Sequence, residues 1–162
     1  METKVFYLIT HGEIFQQVPD SNLTSVGKNN VLNIKQYLPK KLGSVVSGTG
    51  KRHLETAQIL NLEINSYSEL IETGTLTTQI LEKSICILPR GDLIPMERYF
   101  KDLAYQKRYL KEMILSLPNS SIIIGGEITA LKLDLLFVPL ASISTLQYTA
   151  DNNFRIIENV PI

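Results

Sequence analysis

The sequence predicts an α/β domain in three layers, with helices on both faces of a mainly parallel sheet. Continuous β-branched and aromatic runs at residues 5–9 and 121–124 are typical of strands that are buried on both faces. These runs alternate with segments in which apolar residues recur at helical spacing, which favours right-handed crossovers between parallel strands. At 162 residues, the chain is predicted to form a single domain over positions 1–162.

The first half of the chain is predicted to run strand, helix, strand, helix. After the strand at 5–9, Thr24 is suited to cap a helix that Pro39 closes. Residues 44–47 form a short apolar strand, and residues 52–60 follow with helical spacing. The inward residues of the two helices are predicted to be Val31, Ile34, Leu38, Leu54, Ala57 and Leu60.

The second half contains the longest helical pattern. The predicted elements are a strand at 85–88, a helix at 96–117, a strand at 121–124, a helix after it, and a hairpin formed by 143–148 and 154–157. Ile128, Leu131 and Leu135 suit a helix after 121–124, and the alternation of Leu131, Leu133 and Leu135 is the competing pattern. The hairpin is expected because Asp-Asn-Asn separates its two strands.

The composition excludes several classes of function. Lysine plus arginine equals aspartate plus glutamate at 16 each, so the basic footprint of a nucleic-acid-binding protein is missing. The single cysteine, Cys86, favours a reducing compartment. There is no secretion signal at the start, and no apolar run approaches the ~20 residues of a membrane span. We therefore expect a cytoplasmic protein that binds neither nucleic acid nor a membrane.

Residues directly after predicted strands are the candidates for ligand binding. His11 follows the first strand, a loop begins at Ser47, and Gly125 follows the strand at 121–124. Ligands of open α/β sheets bind at the carboxyl ends of strands, so these three positions are expected to lie together. Two histidines and one cysteine give no spacing typical of a metal site, and no metal is expected.

Five short segments carry a resemblance to one known family. They are FYLITHGE at 6–13, LTSVG at 23–27, SGTGKRHLETA at 47–57, LIE at 70–72 and GGEITAL at 125–131. The first is similar to a strand ending in Arg-His-Gly-Glu, and the third resembles Ser-Ser-Pro-x-x-Arg-Ala-x-Gln-Thr-Ala without a gap. The chain thus resembles the histidine phosphatase superfamily, which includes phosphoglycerate mutases and phosphohistidine phosphatases.

The resemblance implies a phosphoglycerate mutase-like fold and phosphoryl chemistry that needs no metal or organic cofactor. His11 would be the nucleophile that takes the phosphoryl group and passes it to water. Glu72, if protonated, would give its proton to the leaving oxygen. Arg52, Thr10 and Gly125 stand at the phosphate-binding positions. The partner would be a phosphorylated small molecule or a phosphoprotein.

Two of these positions depart from the family pattern. Thr10 stands where the motif has an arginine, and the second histidine falls on Gly125 or Ile124, depending on the alignment. Neither replacement carries a positive charge, and one missing electrostatic donor can reduce the rate by about 10² to 10³. His53 is expected to point away, because it lies about 100° around the helix from Arg52.

Three functions are compatible with this sequence. The first is slow hydrolysis of phosphomonoesters or phosphohistidine through His11, and the second is a catalytically silent relative that binds a phosphorylated ligand or a protein partner. The third, an unrelated doubly wound domain with a chance histidine, is disfavoured by the gapless match at 47–57. Substrate identity is expected to depend on residues 61–95, and the pattern does not define an oligomeric state.

Overall fold

Six strands form one mixed sheet at the centre of the computed structural model, which describes residues 4–74, 103–136 and 138–160. The spatial order is β3-β2-β4-β1-β5-β6. The first four strands in this order are parallel, and β5 and β6 form an antiparallel hairpin beside β1. The strands are β1 (Val5–Thr10), β2 (Val45–Ser47), β3 (Ser66–Tyr67), β4 (Ser121–Gly125), β5 (Ile143–Tyr148) and β6 (Phe154–Val160). The predicted mainly parallel sheet and the terminal hairpin are confirmed.

Helices cover both faces of the sheet. Within the described ranges they are α1 (Ser25–Ile34), α2 (Lys51–Ile59), α3 (Leu103–Ser116), α4 (Glu127–Lys132) and a short 3₁₀ helix (Lys35–Tyr37). Thr24 caps α1 as predicted, because its Oγ1 accepts a hydrogen bond from the Gly27 amide at 3.0 Å. No helix in the described part of the chain is long and apolar enough to cross a bilayer. The predicted strand at 85–88, the start of the helix predicted at 96, and Cys86 lie outside the described residues.

Two apolar clusters, one on each face of the sheet, form the core. On one face, Ile9 and Ile124 pack with Val31 and Ile34 of α1. On the other, Phe6 and Leu8 pack with residues of α3 that include Leu110 and Ile114. Because side chains alternate along a strand, β1 contributes to both clusters. This arrangement confirms the three-layer α/β/α prediction.

The inward faces of two helices include polar residues. In α2, His53, Thr56 and Ala57 are buried while Leu54 is only half-buried. In α4, Ile128 and Leu131 are 54% and 55% exposed, and the buried residues are Thr129, Ala130 and Lys132. The prediction that Leu54 points inward is therefore wrong, whereas the helix predicted from Ile128 and Leu131 is confirmed. The reason for the difference at Leu54 is that α2 uses polar side chains, held by hydrogen bonds, where the hydrophobic pattern favoured apolar ones.

The register of the parallel strands brings three loops together. Thr10 lies opposite Gly125 in the β1–β4 pair, and Ser47 lies opposite Ile124 in the β2–β4 pair. The loops that follow β1, β2 and β4 therefore leave the sheet at the same edge. The predicted position of His11 at the carboxyl edge of the sheet is confirmed.

Candidate active site

Backbone hydrogen bonds on both sides hold His11 at the end of β1. Its amide donates to the Gly125 carbonyl at 3.0 Å, and its carbonyl accepts from the Ala141 amide at 2.9 Å. Its Nδ1 lies 2.8 Å from the Gly12 carbonyl oxygen, which can only accept, so the proton of the neutral ring sits on Nδ1. Nε2 therefore carries the free lone pair, and within the described residues it has no hydrogen-bond partner.

Burial keeps the His11 ring neutral. The side chain is 6% exposed, and desolvation, with a smaller contribution from His53, lowers the pKa of His11 to about 4. The hydrogen bond to Gly12 and the Glu72 carboxylate act in the opposite direction, but they are outweighed. At neutral pH, the imidazole is an unprotonated base with an available nitrogen, which is the form a nucleophile requires.

Four hydrogen bonds fix the Glu72 carboxylate beside His11. Oε1 accepts from Arg52 Nη2 at 2.9 Å and from His53 Nε2 at 3.2 Å. Oε2 accepts from the hydroxyl of Thr129 at 2.8 Å and from its amide at 3.2 Å. Lys132 supports the same loop by donating to the Leu70 and Ile71 carbonyls at 3.1 and 3.3 Å. Glu72 therefore has both oxygens satisfied.

These partners keep Glu72 ionised. Burial alone would raise the pKa of this carboxyl, but the hydrogen bond from His53 and the guanidinium of Arg52 outweigh it and hold the pKa well below its usual range. The proton-donor role that the family resemblance implies for Glu72 requires a protonated carboxyl, and it stays a prediction, because the ligand-free site favours the ionised form. Any role as a proton donor requires Glu72 to gain a proton first.

Arg52 is placed beside His11 but is already paired. Its Nη1 lies 3.3 Å from Asp20 Oδ1, and its Nη2 lies 2.9 Å from Glu72 Oε1. One guanidinium thus faces two carboxylates, while burial lowers the pKa values of both His11 and His53 and leaves these rings neutral. Arg52, Asp20 and Glu72 together therefore carry one net negative charge before any ligand binds.

His11 and Arg52 line the same cavity, which measures about 230 Å³. Glu72 also borders it, so the three predicted residues that carry chemistry meet at one place. Apolar side chains form much of the rest of the wall, namely Ile14, Ile128 and Leu140. Gln16 and Glu127, both exposed to solvent, complete it.

The fold is similar to that of solved structures of other proteins. No protein-family model matches the chain, and neither does any curated protein sequence. The phosphoserine phosphatase of Entamoeba histolytica, solved with 3-phosphoglyceric acid, superposes with a TM-score of 0.64 at 16% identity over 96% of this chain and 95% of that chain. The chain has the histidine phosphatase fold.

Two further structures with this fold agree over the whole length. The Rv3214 open reading frame of Mycobacterium tuberculosis gives a TM-score of 0.62 at 16% identity, over 96% of each chain. The putative phosphohistidine phosphatase SixA of Agrobacterium tumefaciens gives 0.54 at 14% identity, over 100% of each chain. At such identities, the similarity establishes the histidine phosphatase fold alone.

The structure refines the two positions at which the sequence departs from the histidine phosphatase motif. The hydroxyl of Thr10 donates to the Pro139 carbonyl at 2.7 Å and accepts from the Ser142 amide at 3.0 Å, so its hydrogen-bonding capacity is used within the protein. A Cβ at Gly125 would collide with the Thr129 hydroxyl, and no His11 atom is among its three nearest contacts. The glycine that borders His11 is Gly126, where a Cβ would lie 2.7 Å from Nε2. Phosphate binding by Thr10 and Gly125 stays a prediction.

His53 lies inside the site, and the prediction that it points away is wrong. It is fully buried, and its ring centroid is 5.6 Å from that of His11. The Gly50 amide donates to its Nδ1 at 3.0 Å, so the ring proton sits on Nε2 and is donated to Glu72. A side chain at the third position of a helix commonly forms a hydrogen bond with the backbone of the capping residue. His53 is at this position of α2, so the segment 47–57 contained a signal for its contact with Gly50.

His11, His53 and Glu72 also form a cluster with the composition of a metal site. One ligand atom from each lies within 4.8 Å of the others. The Gly50 amide, however, holds the proton on His53 Nε2, which then has no lone pair for a metal. Arg52 donates a hydrogen bond to the same Glu72 oxygen, Oε1, at 2.9 Å. The donor set therefore does not fit a bound metal ion, and this chemistry supports the expectation of a metal-independent site.

We expect the variant His53→Ala to lose about 2–4 kcal/mol of unfolding free energy. The change removes a fully buried ring, leaves the Gly50 amide without its partner and removes one of the two hydrogen bonds to Glu72 Oε1. Urea unfolding at neutral pH measures the loss. Gln58→Ala, at an exposed position of the same helix, is the control and should change stability by no more than about 0.5 kcal/mol. Equal effects of the two variants would contradict this account of His53.

Proposed function

We propose that the protein slowly hydrolyses phosphomonoesters or phosphohistidine through a phosphohistidine formed on His11. The observation that carries the proposal is the state of the His11 ring. Its proton is held on Nδ1 by Gly12, its Nε2 has no hydrogen-bond partner among the described residues, and the residue lines a cavity that Arg52 also lines. The names of the structures that share the fold, a phosphoserine phosphatase and a putative phosphohistidine phosphatase, support the same chemistry.

The first step transfers the phosphoryl group to His11. Nε2 attacks phosphorus, the bond from phosphorus to the ester oxygen breaks, and the electron pair leaves with that oxygen. Glu72, once it has taken a proton from solution, passes this proton to the leaving oxygen. Protonation also removes the charge that holds Arg52 on Oε1. The released guanidinium then bonds the phosphoryl oxygens as charge develops on them.

The second step returns the enzyme to its starting state. A water molecule attacks phosphorus while the Glu72 carboxylate accepts its proton, the bond from phosphorus to Nε2 breaks, and the electron pair returns to the imidazole. No metal, oxidant or organic cofactor enters this balance. Inorganic phosphate leaves as the product, and Glu72 releases to solution the proton that it accepted from water, which restores its ionised state.

The charge of the site explains why turnover is expected to be slow. Arg52 must be withdrawn from two carboxylates before it can bind a phosphoryl group. Thr10, which replaces the motif arginine, has its hydroxyl engaged by the Pro139 carbonyl, and Gly126 offers no side chain. Each missing electrostatic donor reduces a rate by about 10² to 10³.

The variant His11→Asn tests the proposal directly. We expect the wild type to hydrolyse 4-nitrophenyl phosphate and the variant to lose at least about 10³-fold in kcat, because Asn cannot form the covalent intermediate. Vanadate should inhibit the wild type, and an alkali-stable, acid-labile phosphoryl adduct should form on the wild type alone. Equal rates in two preparations purified in the same way would rule the mechanism out.

The pairing of Arg52 also favours a second candidate function. With its charge balanced by Asp20 and Glu72, the site could serve a silent relative that binds a phosphorylated ligand or a protein partner without turnover. Vanadate or phosphate binding by the wild type without any His11-dependent hydrolysis is the result that would select this alternative.

A further inference from the structure

The described residues that line the cavity beside His11 offer little that could hold a second anionic group of a substrate. Among the described residues that line the 230 Å³ cavity, Arg52 is the only cation, and it is paired with Asp20 and Glu72. A carboxylate or second phosphate on the leaving group would therefore meet no free positive charge there. It would instead approach Glu127, which is exposed at the start of α4.

The same wall is suited to an apolar group. Ile14, Ile128 and Leu140 line the cavity beside His11, and Ile128 is 54% exposed. A large exposed isoleucine gains free energy when a ligand removes its apolar surface from water. A second cavity of about 310 Å³ shares Glu127 as a lining residue, and its other lining residues are apolar: Ala130, Leu131, Leu135, Leu136 and Val138.

The size of the His11 cavity limits the ligand further. Its 230 Å³ is below the range of about 300–1,000 Å³ that is typical of sites for drug-sized molecules. A phosphoryl group with a small leaving group is the class of ligand that such a space accommodates.

We propose that this site selects phosphomonoesters of small apolar alcohols or phenols and rejects phosphorylated acids and bisphosphates. This inference rests on the proposed function, because it assumes that the phosphoryl group binds at His11. Glu127 is the residue that rejects a second anion, and Ile128 is the residue that contacts the apolar group.

Two phosphonates that cannot be hydrolysed test the selection without requiring turnover. Benzylphosphonate carries an apolar group, and 3-phosphonopropionate carries a carboxylate in a comparable place. Calorimetric titration of the wild type at pH 6 should give at least about tenfold tighter binding of benzylphosphonate, from like-charge repulsion at Glu127 and apolar contact at Ile128. Equal or tighter binding of 3-phosphonopropionate, or no binding of either probe, would overturn the proposal.

Charge reversal at Glu127 identifies the residue responsible. Glu127→Lys should tighten 3-phosphonopropionate by about fivefold or more and leave benzylphosphonate within about twofold. Glu158→Lys makes the same charge change at an exposed position of β6 and should leave the ratio of the two affinities unchanged. A ratio that Glu127→Lys does not alter would refute the role of Glu127.

The hydrolysis assay and the phosphonate titrations together distinguish a failure of this inference from a failure of the proposed function. His11-dependent hydrolysis of 4-nitrophenyl phosphate with the reversed phosphonate order would refute only the substrate class. The expected phosphonate order without His11-dependent hydrolysis would refute the hydrolase and retain the ligand class.

Discussion

Lowering the pH from 8 to 6 is expected to raise kcat/KM for a phosphomonoester by about 100-fold. The ligand-free site holds an ionised Glu72, and the pKa of this carboxyl is depressed by His53 and Arg52 despite its burial. The Glu72 carboxylate repels a phosphate dianion unless one of these two groups takes up a proton. Each decrease of one pH unit raises the proton concentration, and with it kcat/KM, by a factor of ten. The rise ends near pH 6, because the substrate itself binds the proton at its second pKa of about 6.

Below pH 6 the profile should become flat and then fall. A monoanionic substrate brings the required proton with it, so kcat/KM no longer rises. His11 becomes protonated as the pH approaches its pKa of about 4, and a protonated ring has no lone pair for attack. The expected profile therefore has a plateau between about pH 6 and pH 5 and a decline toward pH 4.

The variant Glu72→Gln tests whether Glu72 is the source of this dependence. An amide cannot ionise, so phosphate binding should no longer require proton uptake and should lose most of its change between pH 8 and pH 6. Vanadate should bind more tightly to the variant at pH 8, and calorimetry in buffers of different ionisation enthalpy should detect about one proton fewer taken up per ligand. Glu158→Gln, at an exposed position, is the control. A wild-type kcat/KM that is constant from pH 8 to pH 6 would contradict the assignment.

Stability must be followed over the same pH range, because protonation of Glu72, His11 and His53 weakens folding in each case, with the two histidines acting at higher pH than Glu72. Glu72 has a lowered pKa, so its contribution to stability is complete above the unfolded value of 4.5 and is lost only below it. His11 and His53 also have lowered pKa values, but the unfolded chain binds protons to them below about 6.5. Folding is therefore weakened as the pH falls from 6.5 toward 4, and rates should be normalised to the folded fraction.

Local patterns were sufficient for the strands and for the place of His11. The continuous apolar run before Thr10 is typical of a strand that is buried on both faces. Parallel strands place their carboxyl ends at one edge of the sheet. The Thr24 cap and the terminal hairpin depend on neighbouring residues, and these predictions are confirmed.

Long-range polar contacts could not be predicted in this way. His53 and Thr129 are inward residues because each bonds the same carboxylate, which comes from a loop between them in the chain. Asp20 pairs with Arg52 across 32 positions, and no local spacing indicates this. A hydrophobic pattern ranks isoleucine above threonine for the buried face, so it gives no signal that Thr129 is buried.

The absence of a side chain at position 126 is the second feature with a large expected effect. A Cβ there would lie 2.7 Å from His11 Nε2 and 2.8 Å from Glu72 Oε2. Neither group can easily move: the His11 ring is held by the Gly12 carbonyl, and Thr129 donates two hydrogen bonds to Glu72. Gly126→Ala is therefore expected to cover the attacking nitrogen and reduce kcat/KM by about 10²-fold or more, since misplacement by about 1 Å has effects of this size.

Gly43→Ala is a matched control for this variant. Its Cβ would lie 2.7 Å from the Asn119 carbonyl oxygen, which is an equally close contact, but at the amino-terminal end of β2 and β4. Both variants should lose stability in urea unfolding, whereas only Gly126→Ala should lose vanadate binding and turnover per folded molecule. If Gly126→Ala retains wild-type turnover, Nε2 is not the atom that meets the substrate, and the phosphoryl group must enter from another side of His11.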